Sequence, residues 1–345
     1  MSVIALIKYL YLIAIWFWLS TILLQTPAQI KTAIILWTSS AALSGLGALL
    51  QLIWDDIIPG TFPVWNRMTG LTEHVNDLGG LTSIALIPAI IMLTRFPKTT
   101  WHLVHSWICT ILIAGGLLLS ISMSGVLALL ASLSVWLILG RFSHRKVIIL
   151  CISCVLFSAA ISIQSYYDRV SILSRLHDIS DDGFSSLTLQ TRIDTYTAAW
   201  EEITENPLMG VGLGPDIGKT TTGYVVHNIF LLNWFESGLF GFLGILIILG
   251  SIVFLGFQGI KDPNNKSERI IGIALFSSFI AFLVLGMAQP IYYKRFGWIS
   301  AALLLSLYSN RKRSNRRYEY QVSPSIVSNN LIIDGPVKTH AAIFR

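Results

Sequence analysis

Arg192, His227 and Asn228 are the residues of this chain best suited to chemistry on a charged, group-transfer substrate. A guanidinium presents a planar fork of N–H donors that matches phosphate oxygens, which an ammonium cannot reproduce. An imidazole at a boundary between water and lipid is partly desolvated, and desolvation favours the neutral ring that accepts a proton. Between the two lies Asn206-Pro-Leu-Met-Gly-Val-Gly-Leu-Gly214. Its Gly210, Gly212 and Gly214 permit backbone angles closed to other residues and let main-chain N–H groups approach an anion. Each feature has a plainer reading: a tight turn for the glycines, a salt bridge to Asp194 for Arg192, an ordinary hydrogen bond for His227. Glu236 lies nine residues beyond His227, about 13 Å along a helix, where lipid would force it toward a protein partner or a proton. Arg67, Arg169 and Arg175 are the further cations open to an anionic substrate. No Asp-rich run or His/Cys cluster has metal-ligand spacing, so neither metal nor cofactor is expected.

The elements that must position these groups follow from composition. Charged residues are 12% of the 345 and the hydrophobic set is 54%, against about 25% charged in soluble domains. With a mean hydropathy of +0.67, a soluble core, a disordered chain and a disulfide scaffold are all excluded. The composition predicts an all-α polytopic membrane protein with apolar runs near 3–24, 31–53, 78–94, 101–119, 125–140, 147–164, 228–256, 270–289 and 296–309. Cys109, Cys151 and Cys154 all fall inside such runs, and the first run is too long and lacks the small-residue site of a cleaved signal. The polar Ser120-Ile-Ser-Met-Ser-Gly125 must form a tight turn between the fourth and fifth runs.

Basic residues gather in alternate loops, at Lys31, Arg95 and Lys98, Arg141 to Lys146, Lys261 to Arg269 and Arg311 to Arg317. The other set carries only Arg67, Lys294 and Arg295. Positive loops stay cytoplasmic, so 54–77, 120–124, 165–227 and 290–295 are expected on the external face of a plasma membrane, and 311–345 is expected to be a basic tail inside, attracted to anionic lipid. The excess of Lys and Arg thus sets orientation and implies no nucleic acid. The chain divides into spans within 1–164, an external loop 165–227, spans within 228–310 and the tail. The loop carries nine acidic residues against four basic. Its clearest element is a helix from about Leu187 to Glu205, ended by Asn206-Pro207, with Arg192, Tyr196 and Trp200 on one face. Such a loop has no core of its own and should fold as short helices over the membrane face.

The set Arg192, Trp200, Pro207, Gly210, Gly212, Gly214, His227, Asn228, Gly238, Gly241 resembles the hallmark segment of the O-antigen ligase and O-antigen polymerase superfamily. Two upstream segments resemble the family as well: Arg67-Met-Thr-Gly-Leu-Thr-Glu-His-Val-Asn76, and Ser120 to Ala128. Where the family commonly has an Arg after the Ser of the latter, this chain has Met123, so either Arg67, Arg169 or Arg175 supplies the second cation, or activity is reduced or directed to a different donor. The family's count of about a dozen spans exceeds nine, which places the deficit before residue 60.

The resemblance implies glycosyl transfer at the outer face, from an undecaprenyl-diphosphate-linked glycan to an acceptor hydroxyl on a second lipid-linked glycan, a lipid A core or a protein. It implies no nucleotide sugar and no metal. His227 is then the base for the acceptor hydroxyl and Arg192 the grip on the leaving diphosphate. Arg169, Arg175, Arg67, Gly210, Gly212, Gly214, Asn228 and Glu236 contribute to substrate binding, and Met123 faces the same cavity as Arg192. A transporter or channel is the competing class, and it would place charges mid-membrane in several spans and show repeated halves. A non-catalytic relative is the third reading, prompted by Met123.

Overall fold

The computed structural model describes residues 16–54, 67–95, 99–140, 187–213, 219–261 and 266–327, with isolated positions before residue 16. Its helices are α1 (Trp16–Leu23), α2 (Pro27–Ile53), α3 (Val75–Arg95), α4 (Thr100–Ser120), α5 (Met123–Leu139), α6 (Leu187–Glu205), α7 (Ile229–Lys261), α8 (Lys266–Gly286) and α9 (Arg295–Val327). The chain is an all-α polytopic membrane protein. Among the described residues, α2, α3, α4, α7 and α8 are long and apolar enough to cross a membrane, and α5 is a shorter apolar helix. Every apolar run that falls in these residues has become a helix. The run expected at 147–164 lies outside them.

Local chemistry sets several boundaries. Thr26 and Gln29 form a reciprocal capping box with Pro27 in the first turn of α2, which satisfies two backbone donors that a helix start leaves open. The turn between α4 and α5 is as tight as the sequence requires. Ile121 takes the left-handed conformation at φ 48°, and the Ser122 hydroxyl caps α5 by accepting from Gly125 N at 3.3 Å. Met123 is therefore the first residue of α5. At the far end, α9 runs on past residue 310, so the last apolar run and the start of the basic stretch form one helix.

α3 is the centre of the bundle. Nearly all of its apolar stretch is buried, and it packs against α2, α4, α5, α8 and α9. Close approach comes from small residues, as in lipid generally. Gly45 of α2 lies against the Leu112 carbonyl of α4, and Gly116 of α4 against Gly45.

The geometry of α7 departs from a single span. Gly238 has φ 64° and ψ −166° inside it, so two helical limbs meet there. Ile229 lies against Gly286 and Gly256 against Phe276, both on α8. The first interval is 27 residues on α7, a rise of about 40 Å if straight, and the second is ten on α8, about 15 Å. Only a bent helix meets both contacts. The limb 229–237 belongs to the loop side of the bundle and the limb 239–261 makes the crossing. Sequence reasoning took Glu236 to be about 13 Å deep in a span; the bend removes that inference, because rise along the first limb does not measure depth.

Candidate functional site

α6 has the bounds expected from its sequence and folds back over the start of α7. The Tyr196 hydroxyl donates to the His227 carbonyl at 2.9 Å, and Trp200 meets Trp234 edge to face at 5.7 Å. Arg192, one turn before Tyr196, is thereby brought to His227, whose basicity its positive charge helps to depress. The salt bridge to Asp194 that the spacing allowed is not made: Asp194 accepts from Gln190 Nε2 at 2.8 Å. Among the described residues Arg192 has no ion-pair partner.

His227 is set by its backbone. Its Nδ1 lies 2.7 Å from the Val225 carbonyl, which can only accept, so Nδ1 carries the proton and Nε2 of the neutral ring holds the lone pair. Burial holds the imidazole below its ordinary pKa, with Arg192 and His74 acting the same way against the Val225 bond. Asn228 caps α7, its side-chain oxygen accepting from Phe230 N at 2.9 Å and Leu231 N at 3.1 Å. Asn228 therefore orients the helix start beside His227, a structural task that the His-Asn pairing alone did not reveal.

The glycine run is packed against the bend in α7. Gly210 has φ 66°, and a Cβ there would sit 2.5 Å from Gly238 N and 2.7 Å from the Glu236 carbonyl. Its amide donates to Asn206 O, that of Val211 to Phe235 O and that of Gly212 to Glu236 O, at 2.9 to 3.0 Å. These N–H groups close the turn onto α7 and are not presented to an anion. Gly214, Arg169 and Arg175 lie outside the described residues.

Glu236 is buried at the end of the first limb, where its carboxylate accepts from Tyr292 and, at 2.7 Å, from Tyr293. Neither tyrosine was singled out from sequence. They belong to a strap, 287–294, that ties three elements together. Gln289 Nε2 reaches the Ser124 hydroxyl of α5, the tyrosines reach α7, and Lys294 pairs with Glu73 at 2.8 Å and with Asp77 of α3 at 2.9 Å. Burial alone would lower the Lys294 pKa, but the bonds to Glu73 and Asp77 leave it above its ordinary value. Arg67 is buried, with Nε donating to Ser120 O at 2.9 Å and Nη2 to Asn76 Oδ1 at 2.7 Å. It thus pins the 67–77 segment to the α4–α5 turn. His74 Nδ1 accepts from Asn76 N at 3.1 Å, and partial burial, with Arg67 and Lys294 against Asp77, holds it below its usual pKa.

One end of the bundle therefore collects Arg192, His227, His74, Arg67, Lys294, Glu73, Asp77 and Glu236. Residues 108–246 match a family model described as O-antigen ligase. This is the family that the motif set resembles. A 125-residue stretch is 27% identical to an O-antigen ligase from Salmonella typhimurium, covering 32% of this chain and 31% of that protein. The match thus spans about a third of the relative's length. A solved chain in a structure described as "Structural coordination of polymerization and crosslinking by a peptidoglycan synthase complex" superposes over 90% of both chains with a TM-score of 0.44 and 16% identity. The family-matched segment holds Arg192, Gly210, Gly212, His227, Asn228 and Glu236, while Arg67, His74 and Lys294 come from outside it. Lys294, His74 and the tyrosines were legible only as polar residues in short loops on the side that the charge count assigns to Arg67. Nothing in their spacing marks them.

Proposed function

We propose that the chain is a membrane glycosyltransferase of O-antigen ligase type, acting at the external face of the bacterial plasma membrane. Its donor is an undecaprenyl-diphosphate-linked glycan and its acceptor a hydroxyl on a lipid-linked glycan or lipid A core. The acceptor oxygen attacks the anomeric carbon, the bond from that carbon to the diphosphate breaks, and the hydroxyl proton passes to His227 Nε2. Arg192 holds the charge that develops on the departing diphosphate. Arg67 places further positive charge at the same end, where Met123 supplies none, while that of Lys294 is answered by Glu73 and Asp77. In this reading Gly210 and Gly212 shape the site, and Glu236 holds the strap through the two tyrosines.

The observation that carries the reading is the tautomer of His227. Its proton is committed to Val225 O, its ring is partly desolvated and the positive charge of Arg192 acts on it. A ring so held offers Nε2 as acceptor at neutral pH, which is what a base for a hydroxyl requires. The test is complementation of a deletion strain with His227→Ala, scoring surface glycan length or attachment alongside membrane-inserted protein. Product should fall by about 10² to 10⁴ with insertion unchanged. Normal glycan at wild-type protein level would overturn the assignment, and loss of the protein would return His227 to a structural role.

A further inference from the structure

Four large apolar side chains stand exposed around one junction on the loop side: Met209 at 79%, Phe240 at 70%, Leu208 at 53% and Trp200 at 51%. The junction is rigid. The Pro207 carbonyl accepts from Leu239 N at 2.9 Å and from the Trp234 indole at 3.1 Å, and Gly238 leaves no room for a side chain against Leu208 O. Trp200 packs on Trp234, which stacks on Phe242 at 4.9 Å. These apolar groups are thus fixed at the bend in α7 and cannot withdraw from solvent by local rearrangement.

Along the second limb of α7 the large apolar residues that stand exposed are Phe240, Leu243, Leu246, Ile247, Phe254 and Phe257. Steps of three, four and seven residues make one helical stripe. On a helix that crosses a membrane such a stripe faces lipid. The Leu208-Met209 turn and Trp200 continue it at its upper end, where the α6 helix leaves for water. Tryptophan is enriched at that boundary because its ring is apolar and its N–H polar.

We infer that the 207–209 turn, flanked by Trp200 and Phe240, is a lipid anchor: it inserts among phospholipid acyl chains just below the headgroups of the leaflet on the mouth side. The partner is bulk phospholipid, and an inserted apolar face of this kind reaches about 5–10 Å below the headgroups. The anchor fixes the height of α6, and so of Arg192, above the bilayer. It holds whatever chemistry Arg192 and His227 perform, so its failure and that of the glycosyl-transfer reading are separate.

The experiment uses the full chain with Cys109, Cys151 and Cys154 replaced by Ser, carrying Met209→Cys or, as an exposed control, Lys219→Cys. Each is labelled with the environment-sensitive fluorophore NBD and reconstituted into phosphatidylethanolamine and phosphatidylglycerol vesicles without glycolipid. The label at 209 should emit to the blue of that at 219. Nitroxide placed near the headgroup end of the acyl chains should quench it more than nitroxide near the methyl end. Emission matching the 219 control, or insensitivity to both nitroxides, overturns the proposal, as does stronger quenching from the methyl end. Should the cysteine-free chain fail to insert, benzoylphenylalanine placed at Met209 in the otherwise native chain decides the matter. Phospholipid adducts on the peptide that holds residue 209 support the anchor, and adducts to protein only, or none, refute it.

Discussion

The two ends of the bundle use charge differently. At the end where α9 passes residue 311, Arg311 pairs with Glu268 at 3.1 Å and also donates to the Gly259 carbonyl. Arg269 reaches the Leu139 carbonyl at the close of α5, and Asn310 donates to Leu24 O at 2.8 Å. There the side-chain donors close on backbone carbonyls that helix ends leave open. At the mouth end Arg67 and Lys294 are committed in the same way, to the Ser120 carbonyl and to Glu73 and Asp77, but Arg192 has no ion pair among the described residues, and His227 commits one nitrogen to the backbone while its other carries a lone pair. Charge that completes a helix end stabilises the fold, whereas charge left uncommitted at a desolvated mouth is available to a substrate.

This contrast breaks if both ends respond alike to substitution. The largest effect expected on activity after His227→Ala is from Arg192→Lys, which keeps the charge and loses the fork. Turnover should fall by at least about tenfold, the equivalent of one bidentate hydrogen bond at about 1.4 kcal/mol, while the amount of inserted protein stays at wild type. Wild-type turnover would show that Arg192 acts as a simple charge.

Glu268→Gln at the other end should do the reverse. Removing the charge opposite Arg311 where both side chains are mostly buried costs up to about 3–5 kcal/mol, so the melting temperature in detergent should drop. Activity per folded molecule should hold. A normal melting temperature with impaired turnover would merge the two ends into one functional network.

Gly210→Ala sharpens the comparison within the mouth. The added carbon meets the bend of α7 at a left-handed φ, which costs about 1–3 kcal/mol in strain alone. Turnover and protease resistance of the 206–212 turn should decline together.

The pH profile comes next. Because the His227 pKa is held below the ordinary 6.5, the neutral ring persists as pH falls through 6.5, and kcat/KM should decline only at more acidic pH. A decline centred above 6.5 would exclude His227 as the titrating base. Glu73→Gln should have the smallest effect. Glu73 is the exposed partner of Lys294 and Asp77 remains, and exposed pairs contribute little.

Much of this was legible without coordinates. Apolar run lengths gave the helices because the bilayer demands them, and Asn206-Pro207 ended α6 because Pro cannot continue a helix. Arg192 and His227 could be chosen by residue type, and the stretch that contains them is the one that matches O-antigen ligases. Residue type alone says that Glu236 needs a protein partner or a proton, since a carboxylate among apolar residues must be satisfied. The identity of that partner, Tyr292 and Tyr293, was hidden 56 and 57 residues away.

The sequence by itself determined that the chain crosses a membrane, which stretches are helical, and which residue types are suited to phosphate and proton transfer, since these follow from local composition and backbone chemistry. Only the tertiary structure decided that α7 is bent at Gly238, that the Val211 and Gly212 amides bond to the end of its first limb, that Asn228 is a cap, and that Lys294, His74 and the tyrosines join the mouth. A bend depends on what the loop packs against, and a cluster drawn from 67–77, 187–236 and 289–294 exists only once helices are set side by side. Contacts between residues so distant in the chain are fixed by helix packing, which leaves no periodicity in the sequence to read.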